Sequence, residues 1–89
     1  MKLKDGFVLR KIADQYLVVP VGARAKELHG MLGLNETGAF IFERLSKGQK
    51  QDEIVKALRE EYEVQENDAL AAVERFFEKL HAEGMTCDD

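Results

Sequence analysis

Residues 27–45, ELHGMLGLNETGAFIFERL, are a strand running directly into a helix. Asn35 stands at the joint, and Asn is among the strongest helix N-caps because its side chain accepts a bond from an orphan backbone N–H. Leu34 and Ala39 hold the two positions of a hydrophobic staple around it. Beyond the cap, Ile41, Phe42 and Leu45 recur at helical spacing. Before it, Leu28, Gly30, Leu32 and Leu34 alternate with His29, Met31 and Gly33, the period of two that a strand requires. A small sheet precedes the joint, and the chain beyond it is all-helical.

Upstream, Phe7–Ile12 and Tyr16–Val21 predict two strands, the second rich in β-branched residues. Ala13, Asp14 and Gln15 provide the turn between them. Pro20 cannot donate a ladder bond and belongs at the strand's end or at an unpaired position. Residues 1–6 form a polar lead-in, 22–26 a loop, and the third strand covers Glu27–Gly33. Sequential strands usually neighbour one another, so an antiparallel meander is expected, with the third strand at its edge. That strand has no proline and one charged residue, Glu27. It does little to protect its edge from pairing with another chain.

Downstream, three helices are expected over Glu36–Ser46, Gln51–Tyr62 and Glu66–Glu83. Gly48 suits the end of the first, and Gly84, with Met85 folding back, the end of the third. Ile54, Val55, Leu58 and Tyr62 form the inner stripe of the second helix. The third carries two stripes: Leu70, Val73, Phe77 and Leu80 as the packing face, and Ala69, Ala72 and Phe76 beside it. The spare stripe packs on the sheet or lines a groove. Phe40 is an aromatic on the expected outer side of the first helix, facing either the core or a partner. The architecture expected is α+β and winged-helix-like, an N-terminal three-stranded antiparallel sheet followed by a three-helix bundle, in a single domain over residues 1–89.

Composition limits the function. The 89 residues carry a formal net charge of −4, a poor match for a general nucleic-acid binder. Cys87 is the only cysteine and is expected in a frayed tail, so neither an internal disulfide nor zinc-type Cys/His spacing is possible. His29 and His81 share no ligand or triad spacing, and the only serine, Ser46, has no nucleophile motif around it. Gly30, Gly33 and Gly38 make no phosphate loop. No apolar run has signal-peptide or membrane-spanning character, making the cytoplasm the default, with no membrane partner. No cofactor, metal or catalytic residue is expected.

The ordered set of motifs resembles coenzyme PQQ synthesis protein D (PqqD) and its relatives, the RiPP recognition elements. The likeness rests on Leu34-Asn35-Glu36-Thr37-Gly38-Ala39 with Ile41, Phe42 and Leu45. It continues through Glu53-Ile54, Leu58, Glu61-Tyr62-Glu63-Val64, then Val73, Phe76, Leu80 and Gly84-Met85, and Tyr16–Pro20 fits as well. Lys50 stands where the family often caps its second helix with Thr or Ser, Ala72 where an acid is common, and Phe40 where a polar residue is usual. The resemblance implies a non-enzymatic domain that binds the leader peptide of a ribosomally made precursor, as in PQQ biosynthesis. It presents that precursor to a modifying enzyme, often a radical SAM protein. The leader adds to the third strand and packs on the third helix. The residues expected to hold it are Glu27, Leu28, His29, Gly30, Met31 and Leu32 on the strand. On the helix they are Ala69, Ala72, Arg75, Phe76 and Lys79. A proline at Met31 would remove a backbone donor from that edge.

Two other functions fit the same elements. A winged-helix DNA-binding domain would use the third helix as reader. However, residues 65–83 hold Glu66, Asp68, Glu74, Glu78 and Glu83 against Arg75 and Lys79, an unfavourable surface for phosphates. Pairing of the edge strand across a two-fold axis would instead give a homodimeric adaptor.

Overall fold

The computed structural model describes residues 2–22 and 32–87. A meander forms from β2 (Phe7–Ile12), β3 (Gln15–Pro20) and β4 (Leu32–Leu34), in the order β2-β3-β4. Both pairings are antiparallel, with Val8 opposite Val19 in the first and Leu17 opposite Gly33 in the second. Helices α1 (Glu36–Ser46), α2 (Gln51–Tyr62) and α3 (Glu66–Ala82) come next. The expected fold class, a small antiparallel sheet leading into three helices, is the one observed.

The expected third strand is β4. Its described part continues one residue past the expected end, to Leu34. Glu27, Leu28, His29, Gly30 and Met31, five of the expected contact residues, lie outside the described residues. Ile12 pairs directly with Gln15, so the hairpin turn is only Ala13-Asp14. Ala13 there adopts φ 56°, a left-handed conformation costly to a residue with a Cβ. Ala13→Gly is expected to raise stability by roughly 0.5–1 kcal/mol after glycine's added unfolded-state entropy. A thermal melt that does not rise by a few degrees would contradict this.

The helix ends obey their sequence signals. The Asn35 side chain accepts the Gly38 N–H at 2.7 Å. At the end of α1, Gly48 N–H donates to Leu45 O and Gln49 N–H to Arg44 O, with Gly48 at φ 87°. The end of α3 repeats the pattern: Gly84 N–H to His81 O and Met85 N–H to Leu80 O, with Met85 buried. Both are Schellman closures, and they need a residue at ease with positive φ. Lys50 supplies no side-chain cap to α2; instead the Glu53 carboxylate accepts the Lys50 N–H at 2.9 Å. Half a capping box thereby compensates for the missing Thr or Ser.

Two expectations are corrected. The lead-in is not merely polar coil: Lys2–Leu3 form a strand, β1, paired antiparallel with Thr86–Cys87, β5. The segment holding Cys87 is thus a strand in its backbone rather than a frayed tail. Lys4 N–H extends the join by donating to Met85 O.

The second correction is the rotation of α3. Its buried face is Ala69, Val73, Phe76 and Leu80, spaced four, three and four; Leu70 is 38% exposed and Phe77 half-buried. Leu70 sits about 100° around the helix from Ala69, so both cannot face the core. The stripe expected to be spare therefore supplies half of the packing face. It meets Ile41, Phe42 and Leu45 of α1, Ile54, Val55 and Leu58 of α2, and Val18 of β3 in one core cluster.

A cleft between the strand–helix joint and helix α3

The joint between β4 and α1 brings Leu34, Asn35, Thr37 and Gly38 against α3. Between them lies a cleft of about 230 Å³ whose α3 wall is Ala72, Arg75, Phe76 and Lys79. Four of the five helix residues expected to contact a ligand thus share one cleft. Leu34, from the end of the edge strand, forms part of the opposite wall. Ile41 closes the apolar floor.

The local sequence explains the geometry. Asn35 caps α1 and fixes where its first turn begins. Gly38, in that turn, allows α1 to approach α3 closely. A Cβ there would lie 3.2 Å from Asn35 Oδ1 and 3.3 Å from a Phe76 ring carbon. Phe76 is 6% exposed, belongs to the core and presents the rest of its ring to the cleft. It serves packing and site together. Leu34, Asn35, Thr37, Gly38 and Ile41 are outside the expected contact set; the available signal was Gly38, a poor helix former placed inside a helix.

Ala69 is buried and lines a second opening of about 390 Å³, with Leu58, Tyr62, Val64 and Asp68. Thr37 and Ala72 border both openings, so the two adjoin across α3. The wall of the second is braced. Phe40 meets the Tyr62 ring edge-on at 5.5 Å, and the Arg44 guanidinium stacks over Phe40 at 5.0 Å. Phe40 is therefore half-buried against its own chain. Burial raises the Tyr62 pKa above the ordinary tyrosine range, and the neighbouring Glu36 carboxylate raises it further, so the hydroxyl stays protonated.

Leu32, the one described strand residue of the expected contact set, is half-buried, packs against the core and pairs with Val18. Beyond β4 no further strand is paired among the described residues, so its outer backbone edge is open there. Arg75 and Lys79 are exposed and make no ion pair among the described residues. No group of three potential metal ligands occurs, and no helix is long and apolar enough to cross a membrane, again among the described residues.

Two solved structures share this architecture. TbiB1, in complex with the TbiA(beta) leader peptide, superimposes with a TM-score of 0.77 at 24% identity, covering 100% of both chains. A lasso peptide synthetase B1 complexed with the leader peptide gives 0.76 at 22% identity, over 98% of this chain and 96% of that one. At such identity the likeness is one of fold. No curated protein sequence matches the chain. The model of the coenzyme PQQ synthesis protein D (PqqD) family matches residues 25–85. That span takes in β4, the strand–helix joint, all three helices and every residue of the cleft, and by it the chain belongs to the PqqD family.

Proposed function

We propose that this chain is a non-catalytic adaptor that binds the leader segment of a ribosomally made precursor peptide in the groove between β4 and α3. The observation that carries it is the conjunction at one place, among the described residues, of an unpaired strand edge and an apolar cleft flanked by two cations without an ion pair. The two solved structures of this fold, each a complex with a leader peptide, support it. The leader adds as a strand along the edge of β4 at Leu32, and Glu27, Leu28, His29, Gly30 and Met31, outside the described residues, are the further contacts expected from the sequence. Its inward side chains settle against Ala69, Ala72 and Phe76. Main-chain bonds supply affinity, and the clefts supply specificity. Burying one large apolar side chain contributes about 1.5–3 kcal/mol, so one or two supply only part of the roughly 8 kcal/mol of micromolar binding, and the main-chain bonds along the edge supply the rest.

Catalysis belongs to a partner. Held by its leader, the precursor is delivered to a modifying enzyme, with a radical SAM protein the class expected. The adaptor contributes local concentration and placement.

Calorimetry with the leader encoded by the short reading frame beside the gene tests this, with a micromolar or tighter Kd expected. Absence of binding would refute this pairing. Arg75 and Lys79 add a kinetic signature. Reversing both, Arg75→Glu with Lys79→Glu, is expected to slow association of an acidic leader about tenfold at low salt. The difference should shrink as ionic strength rises. Stopped-flow rates that are indifferent to both changes would remove the cations from the site.

A further inference from the structure

The groove has a charge order along its length. Asp68, Ala72, Arg75 and Lys79 are spaced four, three and four in α3. At 3.6 residues per turn they fall within roughly 60° of arc, forming one row. Arg75 and Lys79 border the first cleft, Asp68 borders the second, and Ala72 borders both. All three charged residues are exposed, and none is neutralised by an ion pair among the described residues. The row is negative at one end, apolar in the middle and positive at the other.

We propose that this row selects the charge order and sets the register of the bound peptide, whose chain direction is held by main-chain pairing to the edge strand. This rests on the peptide-binding reading above and specifies its ligand. The occupant is an extended segment with carboxylates at one end and a lysine or arginine at the other. The spacing comes from two rises per residue. Arg75 and Lys79 are about 6 Å apart along the helix axis. Residues two apart in an extended chain are about 6.6–6.8 Å apart and point the same way. Two acids separated by one residue therefore face the two cations. Asp68 lies about 10.5 Å beyond Arg75. That distance falls between two and four extended residues, and the flexible stem of a basic side chain covers the remainder. The segment recognised is acid–any–acid–any–apolar–any–base: the apolar side chain meets Ala72 and the basic residue, four positions beyond the second acid, reaches Asp68 through its flexible stem.

Charge selects the order because, with the chain direction held by that pairing, a segment of the opposite charge order sets acid against Asp68 and base against Arg75 and Lys79. Both contacts are then repulsive, and like-charge placement discriminates between arrangements more strongly than each attraction stabilises one. The same order of charges also complements the helix dipole, acid in the first turn and base in the last. A dipole role alone makes no demand on any peptide.

The probe is a displayed library of random twelve-residue peptides. It is selected in parallel against the native protein and against Asp68→Lys/Arg75→Glu/Lys79→Glu. Because these positions are exposed, the triple variant is expected to fold, and a thermal melt verifies it. A second variant, Asp68→Asn, keeps the selection informative if the triple one does not fold. Native protein is expected to enrich peptides acidic toward one terminus and basic toward the other. The triple variant inverts that order, and Asp68→Asn retains the acids while losing the basic preference. Enrichment of peptides with no charge order, or with the same order against native and triple variant, overturns the row while leaving peptide binding intact. Enrichment of nothing by the native protein overturns both.

Discussion

Ala72→Trp is expected to weaken leader binding by about 100-fold or more, about 2.7 kcal/mol, while leaving the protein folded. Ala72 borders both openings across α3. It is half-buried rather than part of the buried core. An indole there has room to lie along the helix and occupies the volume that the peptide's apolar side chains need. The cost to the helix itself is a fraction of a kcal/mol, since Trp ranks below Ala in helix propensity by no more than about 0.7. Calorimetry with the leader and a thermal melt separate the two effects. A folded variant with native affinity would place the peptide away from α3.

Phe42→Ala is expected to have the larger effect on the fold. Phe42 is 1% exposed and sits in the cluster that joins α1 to the other two helices and to Val18 of the sheet. Removing a buried Phe ring costs about 3–5 kcal/mol, transfer and cavity together. Small domains have roughly 5–15 kcal/mol in total. A melting temperature lowered by about 15–30 °C is expected at this chain length, and at physiological temperature much of the chain unfolds. A fall of less than about 5 °C in calorimetry would mean that the helices do not pack around this side chain. The phenotype differs from that expected of Ala72→Trp, in which binding weakens in a protein that still folds.

The contrast between these two sites reflects how legible each is in the sequence. α1 and α2 are found at their expected limits because each has chemical punctuation: Asn35 before one and Gly48 after it, and periodic Ile54 and Leu58 inside the other. β2 also occupies its expected span. The face of α3 was harder to read. Leu70 carries a strong apolar signal and Ala69 a weak one, yet Ala69 is buried and Leu70 is exposed. A small side chain is selected where helices approach closely, and hydrophobicity alone does not register that requirement. Pairing of β1 with β5 was not legible at all, because two residues at each end have no periodicity to detect.

The candidate site divides in the same way. Ala72, Arg75, Phe76 and Lys79 were named from the helix pattern and line one cleft. Thr37 and Gly38 enter it only because α1 and α3 meet, a tertiary fact that neither helix announces by itself. Phe40 had two open roles, and contact with Tyr62 and Arg44 gives it an internal one. Lys50, a departure from the family's capping pattern, is accommodated by Glu53 three residues later. A local loss is thus compensated locally, and the cleft is unaffected.

The peptide is expected to lie between the edge strand and α3. An NMR titration of the labelled protein with the leader tests it most directly. Shifts concentrated on Leu32–Leu34, Thr37–Gly38 and Ala69–Lys79, with the hairpin turn at Ala13-Asp14 and the exposed Ile12 beside it unmoved, are the predicted result. Shifts centred instead on that hairpin, or on the β1–β5 ladder, with the α3 residues silent, would contradict it.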